Sequence, residues 1–357
     1  MSKTVLRAAL VGAGGFGTHA LQALRGCRLV ELAGLSDRDP AVAEVAAAEA
    51  GCPGYTDHRR LLVETAAKAV FLAVPPGPAA ELVRLAAQRG AHVWRQVPVA
   101  RNLPEAVQLC QLMDRAGRKL AAGTQRRFMS GYRRARQMLG RLGKLHLAQV
   151  HYQFNLGPSL TWHGDRAAGG GALIELGYHM FDLAIWLLGL PETLYAIAGT
   201  GQRAAAREDL PVYDSDDTAV AVLRYPGKAA TTVTVTRCFS PVDEGLRLYG
   251  QAGTLSAGPN QCVLRDRDGN VLDSFGEDEP LAAVFSRMID SFARAAAEDA
   301  PRYECSGWES LPAMAAVDAA YLSDQTGQPE SPGAMLANYN VTSQDYMKCT
   351  PTEELPP

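Results

Sequence analysis

Two stretches of this chain carry residue types and spacings that could do chemistry. The first is Gly12-Ala13-Gly14-Gly15-Phe16-Gly17, with Asp37 twenty residues beyond Gly17. A GxGxxG string alone says little, but this one follows an apolar run and opens a helical pattern, the setting in which such a loop holds a dinucleotide. Gly12 permits the tight turn, Gly14 lets a pyrophosphate approach the backbone across Gly15 and Phe16, and Gly17 lets the helix pack on the strand. The helix N-terminus offers free amides and a positive dipole end to the phosphates. Asp37 falls at the end of the second strand pattern, where an acid accepts the adenosine ribose hydroxyls. Its charge repels a 2′-phosphate and favours NAD, while Arg38 beside it could stack on adenine or meet that phosphate, so NADP remains possible.

The second stretch is Glu175-Leu176-Gly177-Tyr178-His179. Residues four apart share a helix face, so Glu175 and His179 are expected side by side. A carboxylate beside an imidazole favours the imidazolium and can fix its tautomer, which makes the pair a proton-handling candidate. Tyr178 should point away, into the core. Just upstream, Trp162, His163 and Arg166 precede the run Gly169-Gly170-Gly171. Trp162 could stack on a substrate and His163 or Arg166 could bind it, or all three could anchor a loop. Tyr152, on a strand pattern, could face the same cleft. His163, Glu175 and His179 lack tight metal-ligand spacing, so no metal is expected.

These residues need elements to hold them. Strand and helix patterns alternate through the first third of the chain, with strands at 8–11, 30–35, 69–74, 91–94 and 119–122 and helices at 16–24, 41–50, 79–87 and 104–116. Such alternation implies a parallel sheet with right-handed crossovers. After about Thr124 the pattern changes. A segment with six arginines, 126–141, reads as a helix with a solvated basic face. Strand patterns at 148–155, 193–199, 218–224, 231–237, 245–250 and 262–265 are mostly joined by Gly or Asp turns, as in an antiparallel sheet. A helix at 171–188 interrupts them, two more at 281–297 and 309–323 close the unit, and the stretch from Ser331 carries four prolines without clear periodicity. The expected division is 1–124, 125–330 and a C-terminal arm at 331–357.

Composition narrows the function classes. With 357 residues, about two domains are expected. Net charge is 35 − 38 = −3, which offers no field for nucleic acid or an anionic membrane and points to a small-molecule substrate. No apolar run is long enough to span a bilayer, no secretion signal is visible, and seven scattered cysteines without a CxxC pair suggest a reducing, cytoplasmic setting.

Taken together, the glycine loop, Val74-Pro75-Pro76, Gln125-Arg126-Arg127-Phe128, the segment from Gly169 to Asp182, Asp216-Asp217-Thr218 and Ser323 to Gly327 resemble the glucose-fructose oxidoreductase, inositol dehydrogenase and MocA (Gfo/Idh/MocA) family, in the family's order. The resemblance implies a Rossmann dinucleotide-binding domain, then an α+β domain with a large, mostly antiparallel open sheet, and an active site between them. It implies that Val74, Pro75, Pro76, Gln96 and Gln125 border the cofactor, and that the open sheet forms a homodimer or homotetramer interface. The family's chemistry usually uses a Glu-Lys-Pro motif and an Asp-x-x-x-His pair. This chain has Gln96-Val97-Pro98 for the first and Glu175 for the aspartate; only His179 is retained. Valine carries neither proton nor hydrogen bond.

The expectation is an NAD(P)-dependent oxidoreductase acting on a sugar-like, cyclitol or related polar hydroxyl, carbonyl or imine substrate, with His179 as acid/base and Glu175 beside it. The alternatives are a dinucleotide-binding sensor without turnover, and redox-neutral elimination or epimerisation through transient oxidation.

Overall fold

Apolar strands followed by alanine-rich helices build the first layer. The computed structural model describes residues 5–157, 162–200 and 213–350. Strands β1 (Leu6–Val11), β2 (Val30–Ser36), β3 (Gly54–Tyr55), β4 (Ala69–Leu72), β5 (His92–Gln96) and β6 (Leu120–Gly123) form one parallel sheet in the order β3-β2-β1-β4-β5-β6. Its strands β4 and β5 are buried end to end and β1 is buried except at Arg7, as a sheet covered on both faces requires. Helices α1 (Phe16–Gly26), α2 (Pro40–Ala50), α3 (His58–Thr65), α4 (Pro76–Gln88) and α5 (Leu103–Arg115) connect them. The order reverses between β1 and β4, and crevices at such switch points are where open α/β sheets bind ligands.

α6 (Ser130–Met138) leads to the second sheet. It comprises β7 (Leu145–Asn155), β8 (Thr193–Gly199), β9 (Thr218–Arg224), β10 (Ala230–Thr236), β11 (Cys238–Gly250), β12 (Gly253–Gly258), β13 (Gln261–Asp266) and β14 (Val271–Gly276), ordered β14-β13-β12-β11-β7-β10-β9-β8. All its pairings are antiparallel except β7 with β10. The sequence pattern misses β3, β12 and β14. The first is two residues long, the second is glycine-flanked, and the third is largely exposed and lacks a buried alternate face.

α7 (Tyr178–Leu188) covers this sheet behind a five-residue π-helical turn, Leu173–Gly177. α8 (Leu281–Ala297) crosses back to the first layer. Its Phe285 packs on Phe16 and Trp94, and its Phe292 meets Phe71 edge-on. The first layer is thus completed from beyond the second sheet, cutting across a division at 124/125. α9 (Leu311–Thr326), α10 (Pro332–Ala337) and α11 (Ser343–Met347) follow. Of the expected arm at 331–357, the described part, to residue 350, is built of short capped helices: Ser331 and Thr342 cap them, and Leu336 and Val341 are buried.

The basic segment is corrected. Arg126 and Arg127 are buried rather than solvated, because each finds an acid far along the chain. Arg126 donates two hydrogen bonds to Glu244, and Arg127 donates two to Asp182. Arg133 pairs with Glu304, Arg134 and Arg141 pair with Asp273, and Arg136 lies over the Trp186 ring. All seven cysteines are free.

Candidate active site

A cleft of about 1090 Å³ runs along the C-terminal ends of β1, β2 and β4 and on to the inner face of β7. One end is built from backbone. Gly12 has φ +88°, and a Cβ there would collide with the Ala73 carbonyl; a Cβ on Gly17 would collide with the Gly12 carbonyl. These two glycines let loop, strand and helix touch. Gly14 differs: a Cβ there would find only Val42 Cγ1, at 3.9 Å, so its outer side is free for a ligand. No side chain caps α1, so its positive dipole end opens at the cleft where Gly15 and Phe16 line it, while the Gly17 and Thr18 amides are taken by the Gly14 and Gly15 carbonyls. This loop fits a dinucleotide pyrophosphate.

Gly12, Gly14, Gly15 and Phe16 line the cleft, whereas Gly17 is packed beneath it. Asp37 and Arg38 line it as well, with Ser36, Val42, Thr56 and His58, which sequence reasoning did not single out. The Asp37 carboxylate accepts from the Ala13 amide at 2.8 Å and the Gly14 amide at 3.3 Å, so it also ties β2 to the loop. Arg38 is exposed.

Val74, Pro75, Pro76, Gln96, Val97, Pro98 and Gln125 form the middle wall. The Gln96 and Gln125 amides meet at 3.3 Å. Oε1 of Gln96 is buried without a hydrogen-bond partner, an acceptor available to a bound amide or hydroxyl. Val97 contributes only carbon.

The far end combines aromatic and titratable side chains: Arg126, Tyr152, Phe154, Trp162, His163, Glu175, Leu176 and His179. The Trp162 and His163 rings stack 4.1 Å apart, and the Arg126 guanidinium lies 4.5 Å from the Tyr152 ring centroid. Such flat faces suit the carbon face of a ring substrate. Tyr178 is fully buried, as its place on the helix implies. Arg166 is not among the lining residues; its guanidinium lies over the Tyr321 ring at 4.3 Å.

The expected Glu175–His179 pair does not form: no hydrogen bond or ion pair joins them. Glu175 instead accepts from Arg237 Nη1 at 3.1 Å, with His163 Nε2 3.9 Å from its other oxygen. A permanently charged guanidinium outcompetes a neutral ring for a carboxylate. Arg237 lies 62 residues from Glu175, so spacing could not reveal it. His179, buried near Arg126, is pushed well below the ordinary histidine range by desolvation and then by that cation, which keeps the imidazole uncharged. The supported imidazolium expected from spacing is therefore absent.

The glycine run has a local cause. A Cβ on Gly170 would collide with the His163 carbonyl, so that residue must be glycine for the turn carrying Trp162 and His163 to pack against it.

Comparison with known proteins agrees with this geometry. The model of the oxidoreductase family NAD-binding Rossmann fold matches residues 6–124, and that of the GFO/IDH/MocA C-terminal domain matches 132–256. The chain is 27% identical over 311 residues to a D-xylose 1-dehydrogenase (NADP(+)) of Haloferax volcanii, covering 83% of this chain and 90% of the relative. It is 26% identical over 329 residues to an inositol 2-dehydrogenase of Rhizobium meliloti, covering 89% and 96%. Among solved structures, levoglucosan dehydrogenase in complex with NADH and levoglucosan superposes with a TM-score of 0.84 at 17% identity, covering 92% of this chain and 99% of that one. An oxidoreductase from Agrobacterium radiobacter in complex with NAD+, L-tartaric acid and magnesium gives 0.78 at 21% identity, covering 93% and 100%. At these identities the structural likeness speaks for the fold. Among the described residues no helix is long and apolar enough to cross a membrane.

Proposed function

This chain belongs to the Gfo/Idh/MocA family of oxidoreductases with an NAD-binding Rossmann domain, and from that premise we propose that it oxidises or reduces a sugar-like, cyclitol or related small polar substrate at a carbinol, carbonyl or imine carbon. The observation that carries the reading is the continuity of the cleft, which joins the glycine loop to an aromatic, proton-bearing end without a break. The loop amides with Asp37 and Arg38 would hold the dinucleotide, and Val74 to Pro76, Gln96 and Gln125 would border its reacting ring. When bound, the cofactor takes up or supplies a hydride. Tyr152, Phe154 and Trp162 would sandwich the substrate, and neutral His179 would orient its oxygen by hydrogen bonding rather than by charge. Asp37 favours NAD and exposed Arg38 leaves room for NADP.

Val97 removes the group that would stabilise an alkoxide at that wall. This favours substrates that demand little proton abstraction, such as a hemiacetal hydroxyl, an activated carbonyl or an imine. We further propose that the protein is a homo-oligomer through the outer face of the second sheet. Tyr195 faces Val222 and Ile197 faces Val220 across β8 and β9, and all four are exposed. A row of large apolar side chains on one sheet face marks a contact surface.

Incubation with NAD or NADP and a panel of aldoses, anhydrosugars and cyclitols, followed at the reduced-nicotinamide absorbance band, tests the reading. Net absorbance change supports it. Tight cofactor binding with no change for any substrate class, in either direction, contradicts it.

A further inference from the structure

Proton transfer needs a group that can take and return a proton at the substrate oxygen. Val97 cannot, and His179, buried beside Arg126, has no carboxylate hydrogen-bonded or ion-paired to it among the described residues through which a proton could be passed on. The other proton-bearing groups at that end are Tyr152, whose ring lies under the Arg126 guanidinium, and Glu175 and His163, which one residue positions together. Arg237 Nη1 donates to Oε2 of Glu175 and, at 2.9 Å, to the main-chain carbonyl of His163. Its Nη2 donates to the Tyr213 hydroxyl at 2.9 Å and to Ser215 Oγ at 2.7 Å. Four segments, the π-helical turn, the turn after 161, the 213–215 loop and the end of β10, are thereby tied to one guanidinium. Oε1 of Glu175 is left buried without a hydrogen-bond partner, on the side of His163 Nε2. Arginine cannot give up its proton, so it fixes the pair without competing for the proton being moved.

From this geometry we propose that Glu175 and His163 form the proton-transfer pair of the cleft, doing what a lysine at position 97 would otherwise do, with Arg237 as positioning residue. The inference rests on the oxidoreductase reading above. In oxidation the substrate O–H bond breaks and its proton joins the unprotonated ring nitrogen of His163. The proton on Nε2 passes to Oε1 of Glu175, turning carboxylate into carboxylic acid and leaving the ring neutral in its other tautomer. The hydride that leaves the carbon in the same reaction is the cofactor's share. Reduction returns the proton along the same path. The 3.9 Å gap is longer than a hydrogen bond, as such contacts often are before substrate closes the site.

The charges around the pair suit this task. Burial pushes the Glu175 carboxyl up to about 8, against the pull of Arg237 and with a smaller push from Asp216. Burial and then Arg237 push His163 down to about 4. Asp216 is itself occupied, accepting from the Leu173 amide at 2.7 Å and from the Tyr321 hydroxyl at 2.8 Å. Tyr152 and His179, which line the same cleft, and Tyr321, Tyr213 and Arg237 are further ionisable groups around the turn. Below about pH 8 Glu175 holds its proton and the pair is ready to donate, so reduction is favoured. Above it the carboxylate is ready to accept, so oxidation rises with pH.

Infrared titration of the cofactor-free protein tests the pair without any substrate. The expected result is a protonated-carboxyl band that disappears as pH rises through about 8 and is missing from Glu175→Gln. A band in that range that survives in Glu175→Gln, or no such band, overturns the proposal. With a substrate from the panel, Glu175→Gln and His163→Gln should each lower kcat by about 10²–10⁴-fold, leave cofactor Kd unchanged and abolish the pH limb. Arg237→Lys should retain the limb at reduced kcat with little change in KM. A limb that persists in Glu175→Gln but vanishes in His179→Ala overturns the proposal. A silent panel with the infrared titration intact overturns the oxidoreductase reading and spares the proton-holding pair. Turnover without the titration does the reverse.

Discussion

At the glycine-loop end of the cleft, the lining comes from residues 12, 14–16 and 36–38, and most of its character lies in backbone and in the absence of side chains. At the aromatic end the lining comes from positions 126, 152, 154, 162, 163, 175 and 179, and its character lies in side chains, two of them held by still more distant residues, Glu244 and Arg237. The first end is a local construction and the second a global one. A backbone loop tolerates change around it and fails only when space or dipole is removed. A web of buried charges transmits a change at one member to the others.

Three substitutions probe that difference, in order of expected effect. Gly14→Val should weaken NAD binding by about 100-fold, roughly 2.7 kcal/mol, because it fills the space left for the pyrophosphate. A Cβ there meets only Val42, so the melting temperature should stay close to that of the wild type. Calorimetric titration with a thermal melt separates the two effects, and a large fall in stability would show that the loop is less independent than described.

Asp37→Ala should cost about 10-fold in NAD affinity. It removes the clamp on the Ala13 and Gly14 amides and, on the proposed reading, the acceptor for the ribose hydroxyls. NADP affinity should fall less, since a charge that repels the 2′-phosphate goes too and Arg38 stays. Equal losses for the two cofactors, measured by fluorescence titration, would mean that Asp37 serves only as the clamp.

Arg166→Ala should leave KM within about twofold, because the side chain stacks on Tyr321 outside the cleft. A tenfold rise in KM would return Arg166 to the substrate site.

The same contrast explains how much could be read from the chain alone. The alternating strands and helices of the first layer follow from local patterns, and so does the meeting of the glycine loop with Asp37 at one end of the cleft. Strands β8 and β9 match their sequence spans end for end. His163, Glu175, His179, Trp162 and Tyr152 were also visible as residue types near a glycine run, and the structure brings all five to one cleft. Their partners were not visible. Spacing on a helix made His179 the natural neighbour of Glu175, but the partner is Arg237, at the end of a strand that arrives 62 residues later. Likewise the arginine-rich segment looked solvated because Glu244, Asp182 and Asp273 lie more than 50 residues away along the chain. One signal could have been used: Arg237 ends an otherwise alternating Thr-Val strand, where a charged residue asks for an acidic partner.

The most direct test of the account is a structure of the ternary complex with NAD(H) and the substrate that the panel identifies. The account predicts the nicotinamide against Val74, Gln96 and Val97, and the reacting oxygen within about 3 Å of the His163 ring, with Glu175 Oε1 drawn to Nε2. A reacting oxygen bonded to His179 alone, with His163 turned away from the substrate and Glu175 held only by Arg237, would contradict it.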